Sequence, residues 1–474
     1  MGKKNSVNLL KGNLYKTIIL LGYPTALASI VQTLYNLADT FWLGKLGRQA
    51  ISAPVISFNI IFFILSIAIG FSITGTSLVS QYTGANKPEK ANKVAGNLLV
   101  YLVFLSIIFS VLGYVFSDEI LKFLKTPADA LTSTLDYFKI MVLGLPLAFP
   151  FFVFQSVLNG YGDTKTPLKI ELISALINVI IDPILIFGFM GIPAMGVKGA
   201  AITTVISRGV SSLIGIHLLF KGNMGIKLDP EKLKPSMKLL PLMIRVGIPA
   251  SVGMSGASLG FLVLIGIVNR FGTPVISAYG ISTRIIHLFM MPAIAIASSV
   301  TAIVGQNLGA GQLDRAKSVI KKGIYLMFLI ITPFVIITMI FGGEFTAFFI
   351  PKDPTVHQIG KVMFKIVSPA VIFYGITQVL NGAFQGSGYT VPVMITNLSR
   401  IWLFRIPMVY LFSCVILNGP KDLTASTGIW WGMFFSNFLA MIMIFIWFRS
   451  DKWQNARIKT SQKKQQNNFS QKNT

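Results

Sequence analysis

ISAPVISFNIIFF, residues 51–63, returns as ISAYGISTRIIHL at 276–288, and SQYTGANKPEKA at 80–91 returns as GQNLGAGQLDRA at 305–316. Both pairs stand 225 residues apart, and the same offset carries Gly22 to Gly247 and Pro24 to Pro249 without a gap. Generic apolar helices share scattered Ile and Ala by chance. A constant offset that also aligns polar Gln81 with Gln306, and the Gly-Ala pair after each, marks an internal duplication. Further on, NGYGDTKTP (159–167) resembles FQGSGYTVP (384–392) with one residue dropped.

The duplicated unit is a membrane unit. Of 474 residues, 53% are hydrophobic and 12% charged, with a mean hydropathy of +0.70, against roughly 25% charged residues in an average soluble domain. Apolar runs of about 20 residues or more recur along the chain, each long enough to cross about 30 Å of hydrocarbon as a helix. Spans are predicted at 14–43, 51–81, 94–117, 131–159, 167–190, 197–220, 239–269, 274–306, 320–342, 355–383, 391–418 and 424–448. Six spans per repeat is an even number, so both repeats enter the membrane the same way. The expected fold is all-α and integral to the membrane: twelve transmembrane helices in two six-helix lobes related by a pseudo-two-fold axis along the membrane normal, with the natural site in the cleft between them.

The domain plan follows from the polar interruptions: a tail over 1–13, an N-lobe over 14–220, a linker over 221–238, a C-lobe over 239–448 and a basic tail over 449–474. The linker KGNMGIKLDPEKLKPSMK is the longest polar interruption between spans, and the last tail, Gln/Asn-rich at its end, is expected to be a disordered anchor near anionic lipid. The formal charge of +25 is spread over short connections and tails, which argues for topology and against nucleic acid as a partner. Connections on the side of the two termini, including KPEKANK (87–93) and RAKSVIKK (315–322), hold most of the Lys and Arg, so both ends are expected in the cytoplasm of a multi-pass protein of the cell membrane.

Several chemistries are excluded. Cys414 is the single cysteine, His217, His287 and His357 show no ligand spacing, and no phosphate-cradling glycine loop is present. No cofactor is expected, and an enzyme such as a prenyl transferase would need paired aspartates that are absent.

The acids that remain are informative. Asp39 and Asp182 are well inside apolar spans, with Glu171 and Asp136 nearer the ends. An aspartate at such depth costs at least about 2.5–3.5 kcal/mol, so it is a functional candidate by default. Thr25, Ser29, Gln32, Asn36 and Asp39 follow helical steps along span one, with Tyr35 beside them, and Glu171, Ser174, Asn178 and Asp182 form a second stripe on span five. Such stripes face a wet cavity or each other, not lipid. Asp39 lies ~8 Å and Asp182 ~12 Å from the outer ends of their spans. Their duplicate positions hold Leu264 and Ile406, so ion handling belongs to the first repeat. Arg284, Arg400 and Arg405 lie within or near spans of the second repeat, where helix-end snorkelling or interhelical bonds explain them as well as substrate contact does. Pro24, fifteen residues before Asp39, would permit a bend that moves the acid-bearing end.

LYNLADTFWLGKLG after Pro24, VSQYTGANKPEKA with its repeat VGQNLGAGQ, NGYGDTKTP, and INVIIDPILIFG at 177–188 together resemble the MATE family, the multidrug and toxic compound extrusion transporters, over essentially the whole chain. The resemblance is strongest to the DinF-like and archaeal branch, whose coupling acids lie in the N-terminal lobe. It implies a secondary antiporter, not an enzyme, that exports organic cations or amphipathic drugs in exchange for H⁺ or Na⁺ by alternating access. It also implies roles. Asp39 would be the main cation site, with Asp182 and Asn178 as hydrogen-bonded partners and Na⁺ the one metal considered, held by these three residues. Tyr35, Asn36, Gln32, Tyr137 and Gln155 would line the substrate cavity, and Pro24 would be the bend. Thr204, in GAAITTVIS (199–207), fills the threonine position on span six, with Thr203 the alternative. The partners are small-molecule substrates and membrane lipid, and a monomer is expected. The alternative, a lipid or lipid-linked oligosaccharide flippase of the same superfamily, would be expected to show a more cationic cavity. Aromatic and Met-rich segments such as HLFMMP (287–292) suit adaptable binding and core packing equally well.

Overall fold

The structure, a computed structural model, describes residues 6–458 except 125, 190, 418 and 420–422. The outer parts of both tails, including the Gln/Asn-rich stretch read as a lipid anchor, lie outside the described residues. Helices follow in the expected order: α1 (Leu14–Gly44), α2 (Arg48–Gly84), α3 (Pro88–Val115), a short α4 (Ser117–Phe123), α5 (Ala128–Leu143), α6 (Leu145–Tyr161), α7 (Lys165–Phe187) and α8 (Val197–Lys221). The second repeat continues with α9 (Leu240–Val268), α10 (Thr273–Gly309), α11 (Leu313–Phe349), α12 (Pro354–Ser387), α13 (Val391–Leu398), α14 (Ile406–Tyr410) and α15 (Thr427–Phe448). Among the described residues, eleven helices or helical runs are long and apolar enough to cross a membrane, and the bent pair α5–α6, taken as one span, brings the total to twelve.

Three spans depart from a plain helix among the described residues; the ninth, α11, is kinked at Phe341, whose φ of −100° and ψ of 19° are not helical. The fourth bends by 50° between α5 and α6. Gly144 sits at the break, where an added Cβ would come within 3 Å of the Val205 side chain, and Pro146 opens α6 with no N–H to continue the α5 ladder. The eleventh alternates: the π-helical turn Ser399–Arg405 follows α13, and a second, Leu411–Ile416, follows α14.

The chain divides into two compact units, Met1–Asn8 with Pro24–Gly247, and Leu9–Tyr23 with Ile248–Thr474. The division runs through α1 at Pro24 and through α9 beside Pro249, the duplicated prolines. Duplicated small residues allow each leading helix to pack where it does. Within the second unit Gly22 faces Ser299, and within the first Gly247 faces Thr74, the residue that Ser299 duplicates. A Cβ on Gly247 would stand 2.7 Å from a Phe71 ring carbon and 3.0 Å from Thr74 Oγ1. Gly247→Val is therefore expected to overpack this contact, at a cost of about 1–3 kcal/mol, and to lower the midpoint of thermal unfolding in detergent. Gly266→Ala, where a Cβ meets nothing within 4 Å, is the control; equal midpoints for the two variants would remove the close-packing role.

The polar segments are docked. In the linker, Lys227 N–H donates to Asn92 Oδ1 (3.1 Å), Ser236 N–H donates to Asn97 Oδ1 (2.6 Å) and Tyr101 donates to the Ser236 carbonyl (3.2 Å), fastening it along α3. Residues 449–458, expected to be disordered, instead fold back within the second unit. Trp453 is buried and stacked on Phe448 with ring centroids 5.0 Å apart, and Arg457 donates to the Gly388 carbonyl. The aromatic surface of Trp453 supplies the apolar burial that a charged tail otherwise lacks.

Candidate ion-coupling site

In the first unit α7 turns a polar face inward: Glu171, Ser174, Asn178 and Asp182 are all buried, the spacing of three to four residues having placed them on one side of the helix. The side chains meet different fates. Glu171 accepts from Arg208 of α8 through both carboxylate oxygens, at 2.9 and 3.1 Å. Asp136, on α5, is paired with Lys198 at 3.2 Å. Those two acids are held by basic partners.

Asp39 and Asp182 are not. Their carboxyl groups lie against each other, and Asp39 Oδ1 and both oxygens of Asp182 are buried with no hydrogen-bond partner. One turn further along each helix, Leu43 and Ile186 meet in an apolar cluster with Ala50 and Ala200, against which Trp42, Ile51 and Val197 pack. The helix ends thus converge, and the acids sit just beneath an apolar seal. Asn178, one turn from Asp182, has neither amide atom hydrogen-bonded, so its expected bond to Asp39 is not formed. Buried polar groups are nearly always partnered. Five unpartnered atoms on three adjacent side chains mark a place where a cation fits: two carboxylates and an amide oxygen are the hard oxygen donors that Na⁺ accepts, and one proton between the carboxyls would supply the missing donor.

The walls are built by α1, α5 and α8. Tyr35, buried, donates to Thr204 Oγ1 at 3.1 Å, and its ring lies under the Arg208 guanidinium at 5.3 Å. Arg208 so joins α8 to α7 through Glu171 and to α1 through Tyr35; the sequence reading did not single it out. Tyr137 is buried near Asp39, Tyr35 and Asp182. Thr203 lies against Asp182 but donates to the Gly199 carbonyl at 2.9 Å. Thr204, by contrast, accepts from Tyr35. Ser174 ties α7 to α8 by donating to the Ser207 carbonyl at 3.1 Å. Gln32 and Asn36 are exposed and Gln155 is half-buried, and among the described residues none of their side chains is hydrogen-bonded to the acid cluster. In HLFMMP, Phe289 stacks on Phe334 of α11, centroids 4.7 Å apart, which is packing within the second unit. Arg284 is exposed.

A duplicated bundle of membrane-length helices with polar, unpartnered acids inside one repeat defines a multi-pass membrane transporter. The MatE family model matches residues 24–184 and again 249–411, two segments that begin 225 residues apart at Pro24 and Pro249. The chain belongs to the MATE family, whose members are transporters and not enzymes. It is 28% identical over 407 residues to a probable multidrug resistance protein, YoeA of Bacillus subtilis, spanning 85% of this chain and 88% of that one. It is 27% identical over 448 residues to the probable multidrug resistance protein NorM of Thermotoga maritima, spanning 94% and 95%. A protein of Shewanella oneidensis named as an FAD transporter is 26% identical over 423 residues, 89% of this chain and 92% of its own. Among solved structures, the outward-facing conformation of a multidrug resistance MATE family transporter shares the fold with a TM-score of 0.87 at 23% identity, covering 97% of this chain and all of the other.

Proposed function

We propose that the protein is a secondary antiporter that exports organic cations and other amphipathic compounds across the cell membrane in exchange for H⁺ or Na⁺, by alternating access, as a monomer with both termini in the cytoplasm. The observation that carries this reading is the facing pair Asp39–Asp182 in membrane-length helices, with Asp39 Oδ1 and both Asp182 oxygens buried and without a hydrogen-bond partner. Its charge is balanced only when a cation is present, so loading and release of H⁺ or Na⁺ changes the electrostatics of the whole first unit. Relatives named for multidrug resistance or export supply the substrate class. The basic connections on the side of the termini support the orientation, and the position of Pro24 at the division between units supports its role as a bend.

The test is transport in proteoliposomes with a fluorescent organic cation, under an imposed pH gradient and an imposed Na⁺ gradient in separate experiments. Dye movement against its own gradient in one arm supports antiport and names the ion; movement driven by neither gradient rejects it.

A further inference from the structure

Arg400 and Arg405 lie in the second unit, buried to 7% and 3% relative exposure. In an α-helix residues five apart point about 140° away from each other. Both of these lie on the π-helical turn Ser399–Arg405, and π-helical hydrogen bonds run from i to i+5, which returns residues five apart to nearly the same face. The unusual turn therefore brings the two arginines to nearly one face of the helix, two like charges on one short turn.

Their partners are neutral. Arg405 donates through Nε to Ser436 Oγ (2.9 Å) and through Nη2 to Asn437 Oδ1 (2.8 Å), and lies over the Phe261 ring at 5.8 Å. Arg400 lies over Tyr374 at 5.2 Å, and its Nε is buried with no partner. Tyr279 also faces Arg405 and carries Trp430 stacked at 6.1 Å, whose indole N–H is again buried and unpartnered. From α9 to α15, the carboxylates among the described residues are Asp314, in the first turn of α11, exposed Glu344 toward its end, and Asp353, which caps α12 by accepting from the Thr355 and Val356 N–H groups; none acts on either arginine. A guanidinium does not shed its proton to escape burial, and cation–π contacts offset only part of the loss of water. The group that completes such a cluster is an anion offering oxygens to the guanidinium edges.

We propose that this cluster is an anion-binding site of the second unit, which takes the carboxylate or phosphate group of an amphipathic substrate, with the surrounding aromatic rings against its apolar body. It extends the substrate range to anionic and zwitterionic amphiphiles. For transport it rests on the exporter reading above, but binding at this site does not require Asp39 or Asp182. The same oxygen chemistry is offered by a soluble solute or by a lipid headgroup.

Flavin mononucleotide and riboflavin differ only by a phosphate and serve as the probe pair. Binding to the full chain in phosphatidylcholine nanodiscs, followed by flavin fluorescence polarisation, is expected to favour flavin mononucleotide by at least about tenfold, the scale of a charge-assisted contact. Arg400→Gln and Arg405→Gln should each erase that preference, Arg400→Lys should keep part of it, and Asp39→Asn should leave it unchanged. Repetition in phosphatidylglycerol nanodiscs separates the sources: suppressed binding identifies a lipid headgroup as the competing occupant, and preserved binding identifies a soluble solute. Equal affinity for the two flavins in the wild-type protein, or a preference that survives in both Gln variants, overturns the proposal. If a Gln variant elutes aggregated, the wild-type comparison and the Lys variant decide. Loss of gradient-driven export in Asp39→Asn with intact flavin discrimination separates the two sites.

Discussion

Asp39→Asn is expected to end gradient-driven export while leaving the protein folded. Asparagine keeps the size of the side chain and its oxygen but neither takes up a proton nor carries the charge that attracts Na⁺. The effect on transport should be complete and not graded, because the remaining acid, Asp182, would hold its ion without a partner to exchange it with. Stability moves the other way. A carboxylate within a membrane helix costs at least about 2.5–3.5 kcal/mol, and Asp39 lacks the basic partner that Glu171 and Asp136 have. Removing its charge should therefore keep or raise the midpoint of thermal unfolding, so that lost transport is not lost folding. Drug binding at equilibrium should persist but lose its dependence on pH or Na⁺, whichever drives the wild type. Asp182→Asn should behave alike, since the oxygens of the two face each other. An Asp39→Asn protein that still concentrates dye against its gradient would show that the pair is not the coupling site.

The elements of this fold were legible because membrane helices announce themselves by length and polarity, and the duplication gave each half a check on the other. The inward stripe of α7 was legible from spacing alone. Spacing tells which residues share a face, however, not what that face meets. Gln32 and Asn36 share the stripe of Asp39 and are exposed, whereas Glu171 shares the stripe of Asp182 and is neutralised by Arg208 from another helix. Proline is equally ambiguous. Pro24, Pro54 and Pro150 sit inside helices that continue through them, while Pro146 joins Gly144 at a 50° bend; a glycine opposite Val205 makes the difference. Arg400 and Arg405 were the hardest to read, because a five-residue step on an α-helical wheel separates side chains that a π turn brings together.

Breaking the Arg208–Glu171 pair should cost more stability than any other single change in the first unit. Glu171 is 6% exposed, and both of its carboxylate oxygens accept from one guanidinium nitrogen. Deleting one member of a buried pair leaves the other charge uncompensated, which typically destabilises by about 3–5 kcal/mol. Arg208→Gln should be the more severe, since it strands a third carboxylate in a unit that already holds Asp39 and Asp182 and also removes the cation from the Tyr35 ring. Glu171→Gln should be milder, because the Tyr35 face at 5.3 Å still stabilises the guanidinium in part. The double variant Glu171→Gln/Arg208→Gln should recover much of the loss, as replacing both charges removes the desolvation penalty together with the attraction. Unfolding titrations of the four proteins in mixed micelles measure the cycle, and purely additive losses would show that the pair is not a unit. The coupling matters for function because Arg208 bears on α7 through Glu171 and on α1 through Tyr35. A protein stabilised again by the double change but without that bridge should bind its ion with α1 less well fixed against α7, and so should export more weakly than its stability alone would allow.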